Sequence, residues 1–197
     1  MIAALLLAAG SSRRMGRPKL LLDWGGRPLI RRAVELAEAS RVDDVVVVVG
    51  PNRAEIERAL AGTRARLVDN PDHLSGMASS LRAGLRALGP QVEAVVVLLG
   101  DQPFQGTEVV DQLIETYRAS GRPIVVPVYA GRRGNPVLFD RSLFAELAEQ
   151  RGDQGGREVV RADPDRVATV SFDSERLQMD LDTWDDYVAA RASLGEA

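Results

Sequence analysis

The sequence contains no cysteine and a single histidine, His73, in 197 residues. Without thiols it has no disulfide, thiolate-bound zinc, iron–sulfur cluster or cysteine nucleophile, and one imidazole cannot build a multi-histidine metal site. Neither sign of charge dominates. Twenty-five lysines and arginines face 28 aspartates and glutamates, a net charge of −3, so no global field draws the chain onto nucleic acid or an anionic membrane. Long hydrophobic runs are also missing, the longest falling well short of the roughly 20 apolar residues that span a bilayer. The apolar start at residues 1–9 lacks the basic stretch of a secretory leader and runs directly into a polar loop. A soluble, cytoplasmic protein that binds any anion locally, with no nucleic acid and no membrane as partner, is expected. Aromatic residues make up only 5%, and Trp24 and Trp184, belonging to no aromatic-plus-basic array, read as packing residues.

What is present is a rhythm. Apolar or β-branched runs, "IAALLLA" (2–8), "VVVVVG" (45–50), "ARLVDN" (65–70), "AVVVLLG" (94–100) and "PIVVPV" (123–128), have the continuous hydrophobicity of strands buried on both faces. Between them, residues 28–40, 52–62, 77–89 and 107–121 carry apolar positions at three- and four-residue spacing and predict helices. Pro28 suits a first turn, Asn52 and Thr107 suit N-caps, and Gly62, Gly89 and Gly121 suit C-caps. Alternation of this kind predicts an α/β sandwich with a mostly parallel sheet, in a single domain covering 1–197. The last third breaks the rhythm. Residues 129–139 read as a turn entering an extended segment, 168–172 and 177–183 as short strands, and a final helix starts near Trp184.

In open α/β sheets ligands bind beyond the carboxyl ends of the strands, and the polar clusters of this chain fall there. After the first strand comes "AAGSSRRMGRPK". It fits neither the Walker loop nor the dinucleotide fingerprint: Lys19 precedes an extended segment rather than a helix, and Gly10 and Gly16 are six residues apart. Gly10 still permits close backbone approach, Ser11 and Ser12 offer amides and hydroxyls, and Arg14 and Lys19 offer charge-assisted bonds to phosphate. A solvated basic loop is the competing reading. Asp101, in the "GDQP" turn after the fourth predicted strand, is either a turn-former or a Mg²⁺ ligand. In "MDLDT", Asp180 and Asp182 would share one face of a strand with Leu181 opposite. One or both could join Asp101 on a metal, or Asp182 or Thr183 could cap the last helix.

In order along the chain, "LAAGSSRRMGRPKLLL", "NPDHLSGMASSLRAGL", "LLGDQPF", "RRGNPVLF", "GDQGGR" and "MDLDTWDDY" resemble the molybdenum cofactor nucleotidyltransferases, MobA-like NTP transferases, and most closely their molybdopterin cytidylyltransferase branch. The resemblance implies a Rossmann-like three-layer α/β/α sandwich of the nucleotide-diphospho-sugar transferase type, with a mostly parallel mixed sheet. It also implies transfer of CMP from CTP to the terminal phosphate of molybdopterin, with Mg²⁺, releasing pyrophosphate. Carried onto matching positions, it assigns Leu7, Ala8, Ala9 and Gly10 to the base and ribose, and Arg14 and Lys19 to the triphosphate. Asp101 and Asp182, the latter in preference to Asp180, become metal ligands. Ser79, Ser80 and Arg82 fall on the nucleotide side, while Asn135, Pro136, Asp153 and Arg157 face the acceptor. Guanylyl-transferring relatives usually carry a second glycine where this chain has Ala9, whose methyl would narrow the base slot against GTP. Two positions depart from the family pattern: Asn135 stands where histidine is common, and His73 where an aromatic is common.

A phosphate monoester is already anionic at neutral pH, so its attack on the α-phosphorus needs charge neutralisation and in-line alignment rather than a strong base. That chemistry suits a chain with one histidine, and it leaves His73 as a solvated or capping residue. Three alternatives have different expected partners. One is a related nucleotidyltransferase using GTP or another phosphate acceptor. The second is a nicotinamide-dependent oxidoreductase of the nicotine-pigment reductase type, for which no dinucleotide fingerprint is present. The third is a molybdopterin carrier that hands its cargo to a molybdoenzyme, which could equally receive the product of the transferase.

Overall fold

A computed structural model describes residues 1–10 and 15–193. The five apolar runs become β1 (Ile2–Ala8), β2 (Asp44–Val49), β3 (Arg66–Asp69), β4 (Ala94–Leu99) and β5 (Ile124–Tyr129). They are joined by α1 (Leu29–Ala39), α2 (Arg53–Ala59), α3 (Met77–Arg86) and α4 (Thr107–Ser120). The irregular third holds β6 (Arg132–Arg133), β7 (Val137–Asp140), α5 (Phe144–Glu149), α6 (Arg157–Ala162), β8 (Val167–Phe172) and α7 (Trp184–Ala192).

One eight-stranded sheet runs β3-β2-β1-β4-β7-β5-β6, with β8 parallel to β5. β1, β2, β3 and β4 pair in parallel, while β7 is antiparallel to both β4 and β5 and the short β6 is antiparallel to β5 at the edge, so two described segments run against the rest. Alternation along β1 assigns its side chains to two layers. Ile2, Ala4, Leu6 and Ala8 pack with Ile30 and Val34 of α1 and with Val110 and Leu113 of α4. Ala3 and Leu5 pack with Leu81 and Leu85 of α3, Leu147 of α5 and Val159 of α6. The resulting three layers are those expected when a parallel sheet must cover both faces. Gly84 is required where α3 crosses the sheet, since a Cβ there would run into the Leu5 side chain. Truncating a fully buried Leu5 or Leu6 to alanine is worth about 2–5 kcal/mol.

Local signals were followed with small shifts. Pro28 takes the N-cap position of α1 rather than its first turn, and Gly106 precedes α4, whose first residue is Thr107. Gly121 ends α4 in the left-handed region at φ 63°, its N–H donating to the Tyr117 carbonyl. Asn52 precedes α2 without a side-chain cap, and α3 stops at Arg86, before Gly89. One expected element is corrected: residues 177–183 form no strand. A 3-10 turn (Glu175–Gln178) leads into an unpaired segment, and Thr183 caps α7 in a reciprocal capping box with Asp186. No helix among the described residues is long and apolar enough to cross a membrane.

Candidate active site

β1 lies between β2 and β4, so the chain departs from it in opposite directions and leaves a crevice beyond its carboxyl end. Into that crevice come the loop after β1, the Gly100–Asp101 turn after β4 and the N-terminus of α3. The described part of the first of these, from Met15 onward, is fixed in several ways. Pro18 is followed by a 3-10 turn (Lys19–Leu21), and Leu29 N–H donates to the Leu22 carbonyl at 3.0 Å. Further on, Trp24 packs edge-on against Phe104 and sits in a satellite core with Leu29, Leu181 and Tyr187. Tyr187 hydroxyl donates to the Asp23 carbonyl at 2.6 Å, and Arg191 pairs with the Asp23 carboxylate. α7 thus holds the loop that carries Lys19.

Lys19 Nζ donates to Asp101 Oδ2 at 2.5 Å and to Asp182 Oδ1 at 3.3 Å. The two acids, 81 residues apart in sequence, are brought together by a backbone bond from Leu181 N–H to the Asp101 carbonyl at 3.1 Å. Leu181 is fully buried and anchors the segment. Asp180 goes elsewhere: its Oδ1 accepts from Gln102 Nε2 at 2.8 Å. Desolvation and the neighbouring Asp101 charge push its carboxyl above the usual range, against that hydrogen bond. Asp182 is therefore the carboxylate that shares a cationic centre with Asp101.

The donor set fits a hard divalent cation. Two carboxylates already converge on one positive charge, and Asp101 Oδ1 is buried with no hydrogen-bond partner among the described residues. No group of three or more His, Asp or Glu that could hold a metal occurs among the described residues, so substrate phosphate oxygens and water would complete the shell, as is usual for Mg²⁺.

A cavity of about 610 Å³ surrounds this centre, lined by Leu7, Ala9, Gly10, Ser80, Asp101 and Asp182 with Lys19. His73 also lines it, a position that the solvated-histidine reading did not include. A second cavity, about 340 Å³, adjoins it and shares Leu7, Leu99 and Met77. Val126, Val137 and Phe139 give it apolar walls, and Asn135, Arg133, Arg157 and Arg161 give it polar ones. Arg161, four residues after Arg157 on α6, was detectable from helical spacing. Arg133 was not, because its direction depends on the β5–β6 turn.

Several expected positions lie elsewhere. Ala8 belongs to the opposite sheet face. Ser79 accepts from Asn70 at 2.8 Å and donates to the Gly76 carbonyl. Arg82 donates to the carbonyls of Ala148 and Gln150 and, with Ser79, lines a separate cavity behind α3. Asp153 lines the first cavity rather than the second and accepts from Met77 N–H at 3.3 Å. That close approach depends on Gly76, at φ 90°, where a Cβ would lie 2.5 Å from the Gly152 carbonyl carbon. Pro136 is buried, follows a cis bond, and is absent from the lining of both cavities. Arg14 lies outside the described residues. Trp184, read as packing, is 44% exposed and has the Arg17 guanidinium 4.7 Å above its ring.

Comparison with known proteins defines the class. Residues 4–167 match the MobA-like NTP transferase domain, and the chain belongs to that family of nucleotidyltransferases. It is 34% identical to nicotine blue oxidoreductase of Paenarthrobacter nicotinovorans, over 92% of each chain. It is 24% identical to the molybdenum cofactor cytidylyltransferase of Escherichia coli strain K12, over 96% of this chain and 95% of the relative. Among solved structures, Rv0371c from Mycobacterium tuberculosis H37Rv superposes with a TM-score of 0.87 at 30% identity over 97% of each chain. Its manganese complex gives 0.81 at 29% over 98% of each.

Proposed function

We propose that this enzyme transfers CMP from CTP to the terminal phosphate of molybdopterin and releases pyrophosphate, with Mg²⁺ held by Asp101 and Asp182. The observation that carries the reading is the convergence of Lys19, Asp101 and Asp182 on one cavity that adjoins an apolar, arginine-bearing one. When bound, the cation would neutralise charge on the reacting phosphates. Lys19, released from its carboxylates, turns its ammonium to the β- and γ-phosphates, with Arg14 as the expected second cation. Leu7, Ala9 and Gly10 bound the base and ribose, and the Ala9 methyl, on a residue only 3% exposed, narrows that slot. The acceptor phosphate enters already ionised, from the side of Asn135 and Arg157. No side chain is asked to remove a proton, and no covalent enzyme intermediate forms.

The test is a nucleotide panel with Mg²⁺ and molybdopterin, following pyrophosphate and the cytidine dinucleotide product. CTP-dependent product is expected. Preference for GTP would remove the role given to Ala9, and turnover of a nicotinamide cofactor without any nucleoside triphosphate would instead extend the activity named for the Paenarthrobacter relative to this chain.

A further inference from the structure

Two buried glutamines connect the two cavities. Gln102 follows the metal-side Asp101 and is 7% exposed; Gln105, one turn on, is 3% exposed. Gln105 Nε2 donates to Gln102 Oε1 at 2.5 Å and to the Asn135 carbonyl at 2.8 Å, engaging two acceptors at once. Gln102 Nε2 in turn donates to Asp180 Oδ1 at 2.8 Å. The Asn135 carbonyl has a second donor, the Tyr129 hydroxyl at 2.7 Å, whose ring lies where a Gly134 Cβ would clash. A continuous chain of side-chain hydrogen bonds therefore runs from Asp180, two residues from Asp182, to the turn that carries Asn135 into the second cavity.

The chemistry of the carboxamide explains why glutamine stands at both places. Each link needs an N–H donor facing an oxygen, and at Gln102 an acceptor as well, a combination that neither carboxylate nor ammonium supplies. Both side chains are buried, so an unmade bond here is costly and the network has one low-energy arrangement. We propose that Gln105, acting through Gln102, is a positioning residue that holds the acceptor turn 134–137 in fixed register with the metal-side segment 178–182. Its consequence for catalysis rests on the transferase reading, whereas the mechanical coupling does not.

Amide hydrogen exchange tests the coupling without any substrate. In Gln105→Met, which keeps volume but removes both donors, exchange is expected to rise about tenfold, the scale of one lost hydrogen bond, at both 134–137 and 178–182, while β1 and α3 stay protected. Tyr129→Phe removes only the other bond to Asn135 and should loosen 134–137 alone. Asp180→Ala, at the exposed end of the chain, reads the coupling from the other side should Gln105→Met not fold, and should raise exchange at 134–137. A change confined to the substituted end, or no change at either, overturns the proposal. In turnover, Gln105→Met should raise the KM for molybdopterin more than that for CTP, because the lost bond to the Asn135 carbonyl is direct and the link to 178–182 runs through Gln102; an equal or larger rise for CTP refutes the positioning role. If the wild-type enzyme forms no cytidine dinucleotide at all, the transferase reading fails while the exchange result still stands.

Discussion

The two adjoining cavities share Leu7, Leu99 and Met77 yet are built on opposite electrostatic plans. Around the first, Lys19 bridges Asp101 and Asp182, and a third carboxylate, Asp153, also lines it. A ligand that draws Lys19 away from its carboxylates has to bring both signs, an anion for the ammonium and a cation for the carboxylates, or else leave a half-buried charge uncompensated. A complex of a metal with an anion meets that demand, whereas a neutral molecule leaves the bridge in place. In the second cavity three arginines stand over an apolar wall, and no carboxylate among the described residues lines it. It favours an anion attached to a body with apolar surface. Paired charge selects for a composite ligand, and unpaired charge of one sign selects for a simple anion.

Asp101→Asn gives the largest expected effect, because it removes a carboxylate from the paired centre while keeping its shape. Mg²⁺-dependent pyrophosphate release should fall about 10³-fold, with thermal unfolding run alongside to establish that the variant is folded. A rate near that of the unaltered enzyme would take the carboxylate out of the metal site. Lys19→Ala should cost at least ~10²-fold in kcat, the scale of one well-placed transition-state donor. Normal turnover would return that loop to a solvated surface.

Arg157→Ala and Arg161→Ala sharpen the contrast from the other cavity. Each should raise the KM for the phosphate acceptor about tenfold, in keeping with a lost charge-assisted bond, without changing the KM for CTP. An equal rise in both would show that the cavities do not divide the substrates. Ala9→Gly should shift the CTP-to-GTP preference only a fewfold, within the about 10–200-fold that a methylene-sized change can supply. Competition between the two nucleotides measures it.

The smallest effect lies away from both cavities. Burial pushes the Asp140 carboxyl up, but hydrogen bonds from Ser142 and Tyr117 outweigh it and hold the pKa below the usual value. A lowered folded pKa stabilises above the unfolded value, about 3.9, and that stability is lost as pH falls through the folded one. Tyr117→Phe should therefore cost about 1 kcal/mol near neutrality, and the cost should shrink below about pH 3.9. Chemical denaturation across that range checks it.

Much of the fold was legible because a parallel strand buried on both faces needs an unbroken apolar run, and few other elements do. The bounds of β1 coincide with "IAALLLA", and β2, β4 and β5 shift by a residue or so. Segment 177–183 misled because alternating residues mimic a strand. Its single backbone link to Asp101 and the burial of Leu181 replace a ladder, and neither has a local signature. The resemblance alone assigns Arg82 to the nucleotide side, and only the tertiary structure shows its Nε and one terminal nitrogen donating to carbonyls at the end of α5.

By itself, then, the sequence determined the first five strands, the four helices between them and the start of the last helix, that a basic loop and a carboxylate turn both fall at strand ends, and that Thr183 could cap the last helix. These follow from local sterics, burial periodicity and hydrogen-bonding capacity, which act over a few residues. Only the tertiary structure decided which carboxylate meets Lys19, which arginines remain on the second cavity, and that Gln102 and Gln105 join the two cavities. Those outcomes depend on directions of side chains from elements up to 163 residues apart, and direction is set by packing rather than by residue type.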